Sequence, residues 1–258
     1  MIKRAWLIAF ALTCLTQLVG QSSTFIINSY SVAAGGGAIV YVQGNGASFD
    51  NVDPFSLAIT SDLTAGNVLV VSFFSIGDSA GITPVLGDVT KSAGTATLAN
   101  WVLSDYSIDT VPWGAVVAIY SAEVTGSGTC TIDIDQHFTT YNYGGLALME
   151  FSGVDTTTGR RDNGADNSGT STTPATAGWN TSGSTVIIGV LSRAGAANEA
   201  ITESGDYILV FEEEDTSIHG AGSIIYRITS GSLTGETTDW TMAASQTWEV
   251  AASSLSAE

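Results

Sequence analysis

No stretch of this chain after residue 24 carries apolar residues at the 3.6-residue spacing of an amphipathic helix. Short apolar or alternating runs follow one another instead, each bounded by Gly, Ser, Thr, Asn or Asp. The clearest are 38–42, 57–60, 67–75, 101–106, 115–122, 129–138, 145–151, 185–191, 207–211, 223–228, 239–243 and 247–255. Thr, Val and Ile are abundant in them, and β-branched side chains suit a half-buried pleated surface. Prolines number only 4, while 29 glycines serve the turns. Many strands without intervening helices predict an all-β, antiparallel, jelly-roll-like β-sandwich.

The strand pattern is internally duplicated. Gly66-Asn67-Val68-Leu69-Val70-Val71 is similar to Gly183-Ser184-Thr185-Val186-Ile187-Ile188. Trp113-Gly114-Ala115 with Ala118-Ile119-Tyr120 is similar to His219-Gly220-Ala221 with Ile224-Ile225-Tyr226. The halves span about 55–155 and 176–258 of a sandwich covering 55–258, behind an N-terminal arm and first strands at 21–54. They could be two small domains or two parts of one sandwich. A single sandwich is the preferred reading, because a five-stranded half has an open face to cover, with 155–176 as a connecting loop.

Residues 1–20 read as an address. Lys3 and Arg4 precede an apolar core from Ala5 to Leu15, and Gln17 to Gly20 leads to a small residue. This is the pattern of a secretory signal peptide cleaved after Gly20. The apolar run is short for a membrane span, so no stable span is expected after cleavage. An uncleaved hydrophobic strand or helix is the alternative.

Charge excludes several partners. Lys+Arg is 7 against 25 Asp+Glu, a formal net charge of −18. Nucleic-acid affinity comes mainly from Lys and Arg, so nucleic acid is not an expected partner, and anionic membranes are disfavoured likewise. Disorder is disfavoured too, because 44% of the residues are hydrophobic. Two cysteines, Cys14 and Cys130, exclude a disulfide-dense scaffold or a Cys-rich zinc module.

Candidate chemistry is sparse. Alternation over 129–138 puts Asp133, Asp135 and His137 on one face, with Ile132, Ile134 and Phe138 on the other. The acidic face could bind a metal or move protons, or simply be solvated. Asp162, Asn163 and Asp166 stand in a Gly-containing loop rich in oxygen donors, where calcium would be the ion bound. The loop lacks EF-hand spacing, and Asp, Asn and Gly are also plain turn residues. No other cofactor is expected. The run Glu212-Glu213-Glu214-Asp215 reads as a solvated loop or a protected sheet edge. Glu150, among Leu146 and Leu148, is either an acid with a raised pKa or a strand-end residue near solvent. Trp113, Tyr141 and Tyr143 are the aromatics best placed in turns to stack on a sugar, although most sandwich aromatics are core. Neither a nucleophile elbow nor an H-E-x-x-H motif occurs, and no nucleotide fingerprint is present.

The strand order bears a resemblance. A Gly-Asn-hydrophobic strand at Gly66–Val71 is followed by the Trp strand Asn100-Trp101-Val102-Leu103 and an Ala-Ile-Tyr-x-Ala strand at Ala118–Ala122. The turn Thr125-Gly126, the strand Thr131–Ile134 and Met149-Glu150-Phe151-Ser152-Gly153-Val154-Asp155 come next, before the pattern repeats. The whole resembles a β-sandwich domain of bacteriophage tail and virion-surface proteins and of secreted bacterial proteins. The resemblance covers most of 55–258, with Phe-Ser-Gly-Val-Asp its most specific piece, and it transfers no catalytic residues. It implies a structural or adhesive role outside the cell or on a virion. The expected function is a non-enzymatic extracellular or virion-surface sandwich that contacts surface glycans or a self-assembly partner. The rivals are a secreted carbohydrate-active enzyme on a jelly-roll scaffold and a filament or capsid subunit. In the last, residues 21–45 add a strand to a neighbour.

Overall fold

The computed structural model describes residues 38–258 except 78, 80, 110–113, 136, 139–142, 196–200, 204 and 216–219. The signal-like segment and the first part of the arm therefore lie outside the described residues, as do Trp113 and Tyr141. The described chain is all-β, with one 3-10 turn at Leu86–Asp88. No helix among the described residues is long and apolar enough to cross a membrane.

The strands of the first half are β1 (Val40–Asp50), β2 (Phe55–Ala58), β3 (Val68–Ile76), β4 (Val89–Ala93), β5 (Thr97–Ile108), β6 (Ala115–Gly126), β7 (Thr131–Ile134) and β8 (Tyr143–Ser152). Those of the second are β9 (Arg161–Ser171), β10 (Thr185–Ala194), β11 (Ile201–Glu203), β12 (Ile208–Asp215), β13 (Gly220–Thr229), β14 (Trp240–Met242) and β15 (Gln246–Ser256). Two five-stranded sheets run β1-β8-β3-β6-β5 and β9-β15-β10-β13-β12. Matched in chain order, the two sequences of neighbours coincide. Smaller sheets, β2-β7-β4 and β11-β14, accompany them. Bridges from Ala175 to Asp239 and from Trp179 to Glu236 place residues 175–179 beside the run into β14, as β2 lies beside β7.

Alternation along the strands sorts their side chains into three cores. Val68, Val70, Val117, Ile119 and Phe151 of the first sheet meet Val186, Ile188, Ile224, Tyr226 and Leu255 of the second in a central core. The opposite face of the first sheet, through Leu69, Val71, Ala118 and Leu148, packs on Leu57, Val89, Ile132 and Ile134 of β2, β4 and β7. The outer face of the second packs Leu191, Ile225 and Val250 on Ile201, Trp240 and Met242. Each five-stranded sheet is thus built by one half and buried on both faces, which explains the nearly unbroken apolar runs of β3 and β10.

The two large sheets share a strand order, but the sequence correspondences between the halves do not hold residue by residue. Aligning Ala118-Ile119-Tyr120 with Ile224-Ile225-Tyr226 places Tyr120, on the outer face, against Tyr226, on the central face. The Gly66 and Gly183 segments fail likewise: Val68 lies in the central core, and its central-face counterpart is Val186 rather than Thr185. A slip of one residue exchanges the two faces of a strand. Sequence similarity between two strands buried on both sides cannot detect it, since both faces are apolar.

Two further expectations change. The segment 155–176 is not a simple loop: Arg161–Ser171 forms β9, an edge strand paired with β15 from Arg161 to Ser171. The arm ends sooner than residue 45, because Val40–Asp50 pairs with β8 inside the chain's own sheet. Of the two readings of the acidic run 212–215, the structure gives the sheet edge and not the loop, since the run lies in the edge strand β12. Before β9, the buried Arg160 donates to the carbonyls of Asn100 (2.7 Å), Thr156 (2.6 Å) and Asp155 (3.2 Å). One side chain therefore ties the connection between halves to β5.

Candidate functional site

A groove of about 740 Å³ opens in the second half. It lies where the start of β12, the end of β13 and the turn Ser230–Leu233 come together. The β12–β13 ladder sets Ile208 opposite Tyr226. Alternation then sends Tyr226 into the central core and Arg227 to the outer side. Tyr207 stands just before β12, partly packed on the outer core.

Three side chains brace one another there. The Tyr207 hydroxyl donates to Glu236 Oε1 at 2.9 Å, and Arg227 Nη1 donates to the same oxygen at 3.0 Å. The guanidinium carbon lies 5.9 Å from the centre of the Tyr207 ring, within cation–π range. Glu236 is fixed by its backbone, which exchanges hydrogen bonds of 2.8 and 3.0 Å with Trp179. Burial, reinforced by the Glu236 carboxylate, raises the Tyr207 phenol far above its ordinary range, so it stays a proton donor. The adjoining turn is held as well: Leu233 N–H donates to Thr181 Oγ1, and Gly183 N–H donates to Ser232 Oγ.

Tyr226 also borders the groove, but its ring is buried in the central core, stacked on Tyr41 at 4.9 Å and 8°. Its hydroxyl is buried and accepts or donates no hydrogen bond. On the rim, Asp206 is exposed. The half-buried Tyr207 and Arg227 and the exposed Asp206 border one open site. That is the composition of a binding site for a polar organic ligand.

Tyr143, expected at the surface, is buried among Ile76, Ala115 and Ala194. A ring that starts an inner strand faces protein on both sides, so no sugar reaches it. Asp162, Asn163 and Asp166 stand on β9 and not in a loop. Alternation puts Asn163 on the face opposite Asp162 and Asp166. Asp162 accepts from the backbone N–H of Ser182 at 2.7 Å and from its hydroxyl, and Asn163 Nδ2 donates to the Asn180 carbonyl at 3.0 Å. These side chains secure the neighbouring turn. Among the described residues, no group of three or more His, Cys, Asp and Glu could hold a metal ion.

The other titratable candidates are cross-braces. Asp133 Oδ1 accepts from Ser56 and Ser92 hydroxyls, each at 2.6 Å, clamping β2 and β4 to β7. His137 leaves the face of Asp133 because β7 ends at Ile134; its ring is buried against Phe73 and its Nε2 lies 3.1 Å from Asp88 Oδ2. Burial lowers its pKa, and Asp88 opposes that shift. Glu150 is fully buried rather than near solvent, and accepts from Gln43 (2.7 Å), Thr64 N–H (2.8 Å) and Asn67 (2.6 Å).

Tyr207, Arg227 and Glu236 escape a motif search because they are dispersed and individually ordinary. The scarcity of cations was the available signal. After residue 20 only Lys91, Arg160, Arg161, Arg193 and Arg227 remain. In so acidic a chain, an arginine on a strand needs a carboxylate beside it. Comparison with family models, curated proteins and solved structures gives no match for the chain.

Proposed function

We propose that the chain is a non-enzymatic structural and adhesive β-sandwich of the cell exterior or of a virion surface, which contacts a surface glycan through the groove at Tyr207 and Arg227. The observation that carries this reading is the Tyr207–Glu236–Arg227 brace, a preorganised polar site on a rigid double sandwich. The hydrogen bonding of Asp133, His137 and Glu150 supports it further, since each is committed to holding strands or turns together. The first half has its first, last, third and sixth strands adjacent, over a smaller sheet of the second, seventh and fourth, and the second half follows the same order when the bridged residues 175–179 are counted as its second strand. We take this as jelly-roll connectivity, duplicated, with the fifth strand moved into the larger sheet. The acidic surface would keep such a module soluble and limit non-specific association.

The test is the intact mass and N-terminus of the native protein, with the fraction that holds it, and adsorption of the purified chain to the source cells or particles. A start at Gln21 in the medium or envelope, or recovery in a particle, with adsorption that releases no new reducing ends, is the expected result. A cytosolic protein that adsorbs to neither overturns the reading, as does release of sugar from the surface.

A further inference from the structure

We infer that the groove selects a neutral saccharide, held by Asp206 and Arg227 acting as an acceptor–donor pair beside Tyr207. This rests on the adhesive reading above and specifies its ligand. Arg227 spends Nη1 on Glu236, and its Nε and Nη2 make no hydrogen bond among the described residues. Those two nitrogens form a planar fork that matches two neighbouring hydroxyl oxygens. Asp206 engages in no hydrogen bond or ion pair among the described residues, and its carboxylate accepts only. A vicinal diol is both acceptor and donor, and so satisfies the two residues together. The half-buried Tyr207 ring suits the C–H face of a sugar ring.

Charge decides against an acidic sugar. The Arg227 charge is already balanced by Glu236 at 3.0 Å. A ligand carboxylate would then meet Asp206 uncompensated, on a chain of net charge −18.

Titration calorimetry of the full chain with cellohexaose, maltohexaose and chitohexaose, and with trigalacturonic acid as the anionic probe, tests this. Asp206→Ala and Arg227→Lys are the variants, each checked for an unchanged thermal midpoint. Asp206 is exposed, so its variant carries the test if Arg227→Lys fails to fold. The expected result is saturable binding of at least one neutral probe, about tenfold weaker in each folded variant, as for one lost hydrogen bond. Trigalacturonic acid should bind more weakly. Absence of binding by all three neutral probes at millimolar concentration overturns the inference, and so does tighter binding of the anionic probe. Binding undiminished in the folded variants overturns it as well. Adsorption of the same preparation to source cells or particles, run in parallel, separates the two levels. If adsorption persists while the groove fails, the adhesive reading stands and the ligand assignment falls; if both are lost, both fall.

Discussion

Glu249 projects from β15 into the space between the two five-stranded sheets, where the Ser107 hydroxyl of β5 donates to its Oε2. The residue is 3% exposed. Burial pushes its carboxyl from an ordinary 4.5 up to about 7; Ser107 opposes the shift, and Asp109 and Asp166 add to it. At about 1.36 kcal/mol per pH unit, that difference corresponds to about 3 kcal/mol. The unfolded chain releases this proton near 4.5, whereas the folded chain keeps it until about 7. Across that window the folded state binds more protons, so this group's contribution to stability falls as pH rises and then levels off. Glu249→Gln keeps the shape and stays neutral. Urea unfolding of both proteins from pH 4.5 to 8 should show near-equal stability at the acid end. At pH 8 the variant should be more stable by up to about 3 kcal/mol, and the difference should develop through the window given by the two pKa values. Parallel pH profiles, or a variant less stable at pH 8, would refute a neutral carboxyl between the sheets.

His137 titrates in the opposite sense. Its folded pKa lies below the ordinary 6.5, so the unfolded chain binds more protons as pH falls, and stability present above 6.5 is lost through the lowered value. In the Glu249→Gln background, His137→Phe should flatten that acid limb in the same urea series. Glu150→Ala strands the donors of Gln43, Thr64 and Asn67, and should cost about 3–5 kcal/mol by thermal or urea unfolding. Glu150→Gln should fall between it and the native protein. A Cβ at Gly145 would stand 2.3 Å from Phe211 Cε1 and 2.7 Å from Phe74 Cε1 in the central core. Gly145→Ala should therefore cost about 1–3 kcal/mol, and a double-mutant cycle should recover part of that loss in a Phe211→Ala background.

All twelve apolar runs read from the sequence coincide with strands, and the strands it misses share one physical property. β9, β4 and β11 have little apolar surface to bury. β9 is Arg-Asp-Asn-Gly-Ala-Asp-Asn-Ser-Gly-Thr-Ser, mostly exposed, and it pairs only with β15 at the rim of its sheet. Its stability comes from the backbone ladder and from Asx side chains such as Asn167, which donates to the Ala175 carbonyl at 2.9 Å. A hydrophobic pattern detects only strands that bury side chains, so a polar edge strand reads as a turn. The same blindness covers the calcium and sugar candidates: a hydrophobic pattern places Asp162 and Asn163 in a loop and Tyr143 in a turn, whereas they stand on β9 and at the start of β8.

The groove stayed hidden for a different reason. Its residues belong to three separated places, Asp206-Tyr207, Arg227 and Glu236, and only tertiary structure brings them together. What joins them is the bridge between Trp179 and Glu236, made by a segment whose sequence shows no strand signal. That bridge also buries Trp179 against Ile187 and Ala252. The groove wall is therefore tied to the outer core of the second half by the same contact that positions its carboxylate. In a chain with so few cations, the placement of Arg227 depends on Glu236. The placement of Glu236 depends on a two-residue ladder that carries no motif. A site assembled in this way is specified by packing and backbone pairing, and its chemistry becomes visible only once the sheets are in register.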